Sequence, residues 1–174
     1  PSVAKAFGAI ATPSSFAREG YNGVNAFIFV NKDGARQPFR LRVVPVDGVE
    51  HLTPADAARM PPDFLVDELP QRLANGPVVF RMTVQLANPG DQTKDSTQPW
   101  PEDRRVVDLG MITLSTAVAD SDAAQRQLYY LPNRLQPGIE VSDDPLIDAR
   151  VRAYVISFGR RAQVELRGSR SVAA

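Results

Sequence analysis

The sequence of 174 residues predicts an α+β fold whose framework is a set of antiparallel β-strands. Three observations carry this. Runs such as Phe39 to Val43 and Phe80 to Leu86 alternate apolar and polar residues with a period of two, the mark of strands with one face buried. The 15 prolines fall mostly between apolar runs, which suits short strands and irregular connections better than a helical bundle. Helical spacing is confined to one insertion and one C-terminal segment.

Four strands are expected. The first runs from Val24 to Val30 and holds Phe27, Ile28 and Phe29. Asn31-Lys32-Asp33-Gly34 then supplies a turn. In the second strand Phe39, Leu41 and Val43 alternate with Arg40 and Arg42, which predicts a buried face and a wet face, and the two runs should pair as a hairpin. In the third, Phe80, Met82, Val84 and Leu86 alternate with Arg81, Thr83 and Gln85. The fourth spans Val106 to Leu114, with Gly110 inside as the sign of a bulge or a close backbone approach.

Between the second and third strands lies a helical insertion. Thr53-Pro54 reads as an N-cap followed by proline at the first helical position, opening Ala55 to Arg59. Phe64, Leu65, Leu69 and Leu73 carry helical spacing, interrupted by Pro70 and closed by Gly76-Pro77. A last helix is expected from Pro145 to about Tyr154, with Asp144 as its N-cap. Four strands cannot close a barrel, for which about eight are the usual minimum. The predicted sheet is therefore half of a barrel, or a sheet whose edges need a partner.

Length allows one domain of ordinary size. Lys plus Arg and Asp plus Glu both number 20, so the net charge is zero. That argues against a nucleic-acid scaffold, which carries a basic excess. No run approaches 18 apolar residues, so no membrane span is predicted. There are no cysteines, which excludes disulfides and thiolate chemistry and leaves the compartment undecided, cytoplasm and periplasm both fitting. His51 is the single histidine, so His-rich metal sites are excluded. The sequence begins at Pro1 without methionine or a signal-peptide pattern, and the expectation is a processed, trimmed or fragmentary chain.

The last helix carries the chemistry. Arg150 and Tyr154 are spaced i, i+4, which puts them on one face a turn apart. An adjacent cation favours the anionic form of a phenol. A tyrosinate so held can bind ferric iron, although such a pair on a helix is also an ordinary surface neighbour. Asp144 stands at the helix start, where it serves as an N-cap or orients charge near the pair. Arg161, seven residues after Tyr154, could meet a carboxylate through a two-point contact or stand as a solvated charge beside Arg160.

Several motifs, in one order, resemble those of the catalase superfamily, and more closely its small catalase-related peroxidases. They are Pro13-Ser14-Ser15-Phe16 leading into Tyr21 to Phe27, Leu52 to Arg59, and Asp91-Gln92-Thr93-Lys94 with Trp100-Pro101. Val107 to Gly110, Leu135 to Asp144, and Arg150-Val151-Arg152-Ala153-Tyr154 complete the series. The resemblance runs from about Ser14 to Arg161. It implies a single catalase-like domain over residues 1–174 that lacks its N-terminal part. It also implies the second half of an eight-stranded antiparallel barrel, with a C-terminal haem-ligand helix. The implied activity is that of a haem b enzyme acting on hydrogen peroxide or organic peroxides, with an unknown reductant and a homo-oligomer left open.

Residue by residue, the resemblance makes Tyr154 the axial iron ligand and Arg150 the arginine that keeps it ionised. Asp144 becomes the acidic member of a proximal relay, and Arg161 a propionate-binding arginine. Asn25 falls where many large catalases have a histidine in that relay, a swap that keeps a hydrogen-bonding partner and removes a titratable one. Tyr130 and Pro132 fall where the family sets an aromatic ring and a proline against the haem edge, or they simply pack. Ile156 replaces an aspartate of the large catalases, which fits the small branch. The family's distal histidine and asparagine belong upstream of the matched segment, and His51 matches no distal motif. Three readings remain open from sequence: a peroxidase half-site, a haem- or ligand-binding half-barrel without turnover, and a fragment without activity of its own. A rearrangement of fatty-acid hydroperoxides on the same haem also stays open.

Overall fold

The computed structural model describes the backbone of residues 11–171 and side chains through residue 162. Strands β1 (Tyr21–Asn22), β2 (Phe27–Val30), β3 (Arg36–Pro45), β4 (Val78–Leu86), β5 (Val106–Leu114) and β6 (Ile139–Val141) form one sheet. Its hydrogen-bonded order is β5-β4-β3-β2-β6, with β1 also pairing to β3. This is an open path, so these strands do not close the eight-stranded barrel that the resemblance implies. The helices are α1 (Pro54–Ala57), α2 (Phe64–Asn75), α3 (Ser121–Gln127) and α4 (Pro145–Ser171).

The chain divides into two compact units. The first comprises Pro1–Asn22, Arg42–Thr83 and Asp108–Ala117, and the second Gly23–Leu41, Val84–Val107 and Val118–Ala174. In the first, Ala17, Leu73, Val78 and Phe80 form a buried cluster, with Val43, Leu69, Ile112 and Leu114 packed against it. Leu69 and Leu73 reach it from one face of α2, as their i, i+4 spacing requires. Ser15 is fully buried; its hydroxyl accepts from the Ala17 N–H at 3.0 Å and donates to Glu68. Thr53 caps α1 as predicted, its Oγ1 accepting from the Asp56 N–H at 3.2 Å. Pro70 does not interrupt α2, which is continuous across it. Proline removes one intrahelical hydrogen bond, and packing of Leu69 and Leu73 into the buried cluster outweighs that loss. Gly110 has φ +129°, outside the range of ordinary L side chains, and its N–H meets Asp108 Oδ1 at 2.8 Å, so the glycine marks a local deformation of β5. The period-two alternation of the strand also holds here, with Phe80 buried and Arg81 exposed.

In the second unit the predicted hairpin forms, starting later than expected. Phe27 pairs with Phe39 and Val30 with Arg36 across an antiparallel ladder. Asn31 organises the turn, its Oδ1 accepting from the N–H groups of Asp33 and Ala35 at 3.0 and 2.8 Å. Phe39 is 2% exposed and stacks on Phe29, with ring centroids 3.7 Å apart. Gly23 donates to Leu41 O at 2.7 Å, and a Cβ there would lie 3.2 Å from that oxygen. Glycine thus lets the segment leading to Asn25 lie directly against β3.

The two-faced pattern expected for β3 and β4 fails in this unit. Arg40 is only 7% exposed and Gln85 is buried beside Val84. The segment from Asn88 to Arg105 covers the second face and supplies backbone acceptors to both groups, although the Arg40 Nε stays without a partner. Gln85 Nε2 donates to Pro101 O at 2.8 Å, and Arg40 Nη1 to Gln98 O at 2.8 Å. Each of these buried side chains has a backbone carbonyl to bond, which offsets part of the cost of its burial.

Candidate functional site

All the site residues expected from sequence lie in the second unit. Asp144 stands just ahead of α4, and its Oδ1 accepts from the Leu146 N–H at 2.9 Å. That is the predicted N-cap, with Pro145 at the first helical position. Its other oxygen, Oδ2, accepts from Asn25 Nδ2 at 2.8 Å. Asp144 therefore caps the helix with one oxygen and holds Asn25 with the other. Asn25 is 2% exposed and Asp144 5%.

Asn25 Oδ1 in turn accepts from Arg150 Nη1. Arg150 Nε donates to the phenolic oxygen of Tyr154 at 3.1 Å. Carboxylate, amide, guanidinium and phenol thus form one continuous hydrogen-bonded chain. Its polarity is fixed by its ends: a carboxylate only accepts and a guanidinium only donates, so the amide has one orientation that satisfies both. The network also closes on itself, because Asp144 caps the helix that carries Arg150 and Tyr154.

Tyr154 is 37% exposed and lines a cavity of about 290 Å³ together with Leu128, Tyr129, Tyr130, Arg150, Ser157 and Arg161. Arg161 is not a free solvated charge. It donates to Ser157 Oγ at 2.8 Å and to Leu128 O at 2.9 Å, while its buried Nε has no hydrogen-bonding partner. Tyr130 is among the residues that line the cavity, and Tyr129 packs on Phe158 with centroids 4.7 Å apart. Pro132 is half-buried and does not line the cavity. Ser157 and Tyr129 were missed from sequence. The signal for Ser157 was its position three residues after Tyr154 and four before Arg161, on the same helix face.

Around the Asp144 end the acidic groups are individually held. Hydrogen bonds from Arg104 hold the Asp91 carboxyl below the usual range, through contacts at 2.7 and 2.9 Å. Lys94 does the same for Asp143, with an ion pair at 3.0 Å. Burial pushes the Arg40 guanidinium below its usual value, and Asp144, Asp91 and Asp95 act against that shift. In the first unit His51 is engaged with Glu19, Nε2 to Oε2 at 2.9 Å. Among the described residues no group of three or more His, Asp or Glu stands together as a metal-binding cluster.

A family model described as catalase matches residues 2–165. The chain belongs to the catalase family. Its sequence is 34% identical over 151 residues to a catalase-related peroxidase of Synechococcus elongatus, covering 87% of this chain and 44% of that protein. It is 35% identical over 153 residues to a catalase-related peroxidase of Mycolicibacterium paratuberculosis, covering 88% of this chain and 49% of that one. The chain thus spans about half the length of these catalase relatives. Among solved structures, a fungal catalase superposes with a TM-score of 0.78 at 20% identity, over 86% of this chain and 32% of the other. Catalase A from Saccharomyces cerevisiae does so with the same score and identity, over 86% and 33%. These two likenesses establish a catalase fold for the sheet and its helices.

Proposed function

We propose that this chain forms the proximal side of a haem b site in a catalase-type peroxidase acting on hydrogen peroxide or organic peroxides, with Tyr154 as the axial ligand. The observation that carries the reading is the hydrogen-bonded chain from Asp144 through Asn25 and Arg150 to the Tyr154 oxygen. The residues present fit such a group. A single phenolic oxygen suffices for an axial ligand, since the porphyrin supplies four donors of its own. The cavity joins that oxygen to aromatic rings and to Arg161, whose buried Nε is left over for a carboxylate such as a propionate. Bound haem would supply the redox chemistry of peroxide reduction.

The chain's own residues hold and orient. Arg150 cannot accept a hydrogen bond and does not give up its proton, so Tyr154 Oη is the acceptor in their contact. Asn25 fixes the far end of the guanidinium, and Asp144 fixes Asn25. An amide does not titrate, so the link orients Arg150 without relaying a proton. Among the described residues no helix is long and apolar enough to cross a membrane.

A hemin titration followed by visible absorption, run beside Tyr154→Phe, tests the reading. The expected result is a saturable ferric spectrum in the parent that the variant lacks. Identical spectra would remove Tyr154 as the ligand. Hydrogen peroxide is then added to the loaded parent; turnover assigns activity to this chain, and loading without turnover favours a haem-holding module.

A further inference from the structure

We infer that Arg40 is a positioning residue for the hydrogen-bonded chain that ends on Tyr154, acting through the loop from Asp91 to Trp100. The inference deepens the haem reading and rests on it for its functional meaning. Arg40 is nearly buried on β3, and its guanidinium lies 4.5 Å from the centroid of the Trp100 ring. From that plane it donates to two backbone carbonyls of the loop, Gln98 O at 2.8 Å and Gln92 O at 3.4 Å. Trp100 Nε1 donates to the same Gln92 oxygen at 2.7 Å. Cation and ring together pin both ends of the loop.

The loop then grips the residues just before Asp144. Ser142 Oγ donates to Thr93 O at 3.2 Å, and Thr93 Oγ1 donates to Asp143 Oδ1 at 3.2 Å. Lys94 Nζ sits 3.0 Å from Asp143 Oδ2. The Asp144 N–H meets Ser142 Oγ at 3.4 Å. Two consecutive residues ahead of Asp144 are thus held by two consecutive residues of a loop that Arg40 and Trp100 hold. A side chain on a central strand thereby sets where the Asp144 carboxylate points, and with it Asn25 and Arg150. A planar fork stacked on a ring does this in a way a lysine cannot, since ammonium is a point charge without the matching geometry.

The test reads the Asn25 side-chain amide, whose Nδ2 is the donor to Asp144. Its proton signals are followed by hydrogen exchange in ¹⁵N-labelled protein without hemin, and assigned by their loss in Asn25→Ser. In Arg40→Lys and Arg40→Met, exchange of this amide is expected to speed up at least about tenfold, while backbone protection in β2 and the unfolding midpoint change little. The Asn75 side chain, which donates to Gln71 O on α2, serves as control. Unchanged Asn25 exchange in both variants overturns the proposal. So does wild-type behaviour of Arg40→Lys alone, because charge would then suffice. Uniformly faster exchange across the protein also overturns it, by reducing Arg40 to a fold-stabilising residue. As a second readout, the hemin complex of Arg40→Lys should keep the parent's stoichiometry with a displaced visible band. Failure of the parent to take up hemin would count against Tyr154 as ligand and leave the exchange result standing.

Discussion

Asn25 and Asp144 lie 119 positions apart in sequence, and a 2.8 Å hydrogen bond joins the amide nitrogen of one to a carboxylate oxygen of the other. The bond ties the segment entering β2 to the start of α4. It does so in a buried setting, where an unpaired partner is costly.

Replacing Asn25 by leucine keeps the size and removes both functions of the amide. Asp144 Oδ2 and Arg150 Nη1 would each lose their partner. Stranding such groups costs about 1–3 kcal/mol. Urea unfolding of Asn25→Leu should therefore show a lower midpoint with an unchanged slope; an unmoved midpoint would mean that water replaces the amide at no cost.

Phe39 tests the packing of the second unit. It stacks on Phe29 and lies near Phe27, with centroids 3.7 and 6.2 Å away. Truncation to alanine should cost about 3–5 kcal/mol, the range for a buried aromatic ring. A loss below about 1 kcal/mol would show that the neighbouring rings collapse into the space.

Acid should loosen the loop that Asp91, Asp95 and Asp143 help to hold. Asp91, Asp95 and Asp143 all titrate below the ordinary carboxylate range, held chiefly by hydrogen bonds from Arg104, Thr97 and Lys94 respectively. A carboxyl with a lowered folded value stabilises the fold above its unfolded value, about 3.9, and that contribution disappears as pH falls through the folded value. Stability measured by denaturant should fall below about pH 4. Asp91→Asn should be less stable than the parent at neutral pH and should lose less on acidification. Parallel profiles for the two proteins would assign the acid sensitivity elsewhere.

Pro70 sits exposed inside α2, where it forgoes the hydrogen bond its N–H would have made. Proline in a helix interior is disfavoured by about 3 kcal/mol relative to alanine, partly offset by its rigid unfolded chain. Pro70→Ala should raise the unfolding midpoint by an amount equivalent to about 1–2 kcal/mol. A drop would show that the ring packs in a way alanine cannot replace.

Sequence made the strands legible where one face is wet, and the motif order pointed to the family. The termini of β5 and the start of α4 were read correctly because alternation and a capping Asp-Pro pair are local signals. Arg40 was misread as solvent-facing, because alternation reports one covered face and a loop some fifty residues later covers the other. β6 and α3 were missed for related reasons. β6 is three residues long and takes its conformation from β2. The seven residues of α3 carry no apolar period, only the Asp120 cap, whose Oδ1 accepts from the Ala123 N–H at 2.9 Å. The pairing of Asn25 with both Asp144 and Arg150 is a tertiary fact that no local pattern contains.

Arg150, Tyr154, Ser157 and Arg161 are all carried by α4. At about 1.5 Å and 100° per residue, they occupy a strip about 16 Å long and about 60° wide. Inserting or deleting one residue between them would swing the later members about 100° away from the earlier ones. A change of length in the connection ahead of α4 would leave this strip intact, whereas any change in the count from 150 to 161 would take the cavity lining apart.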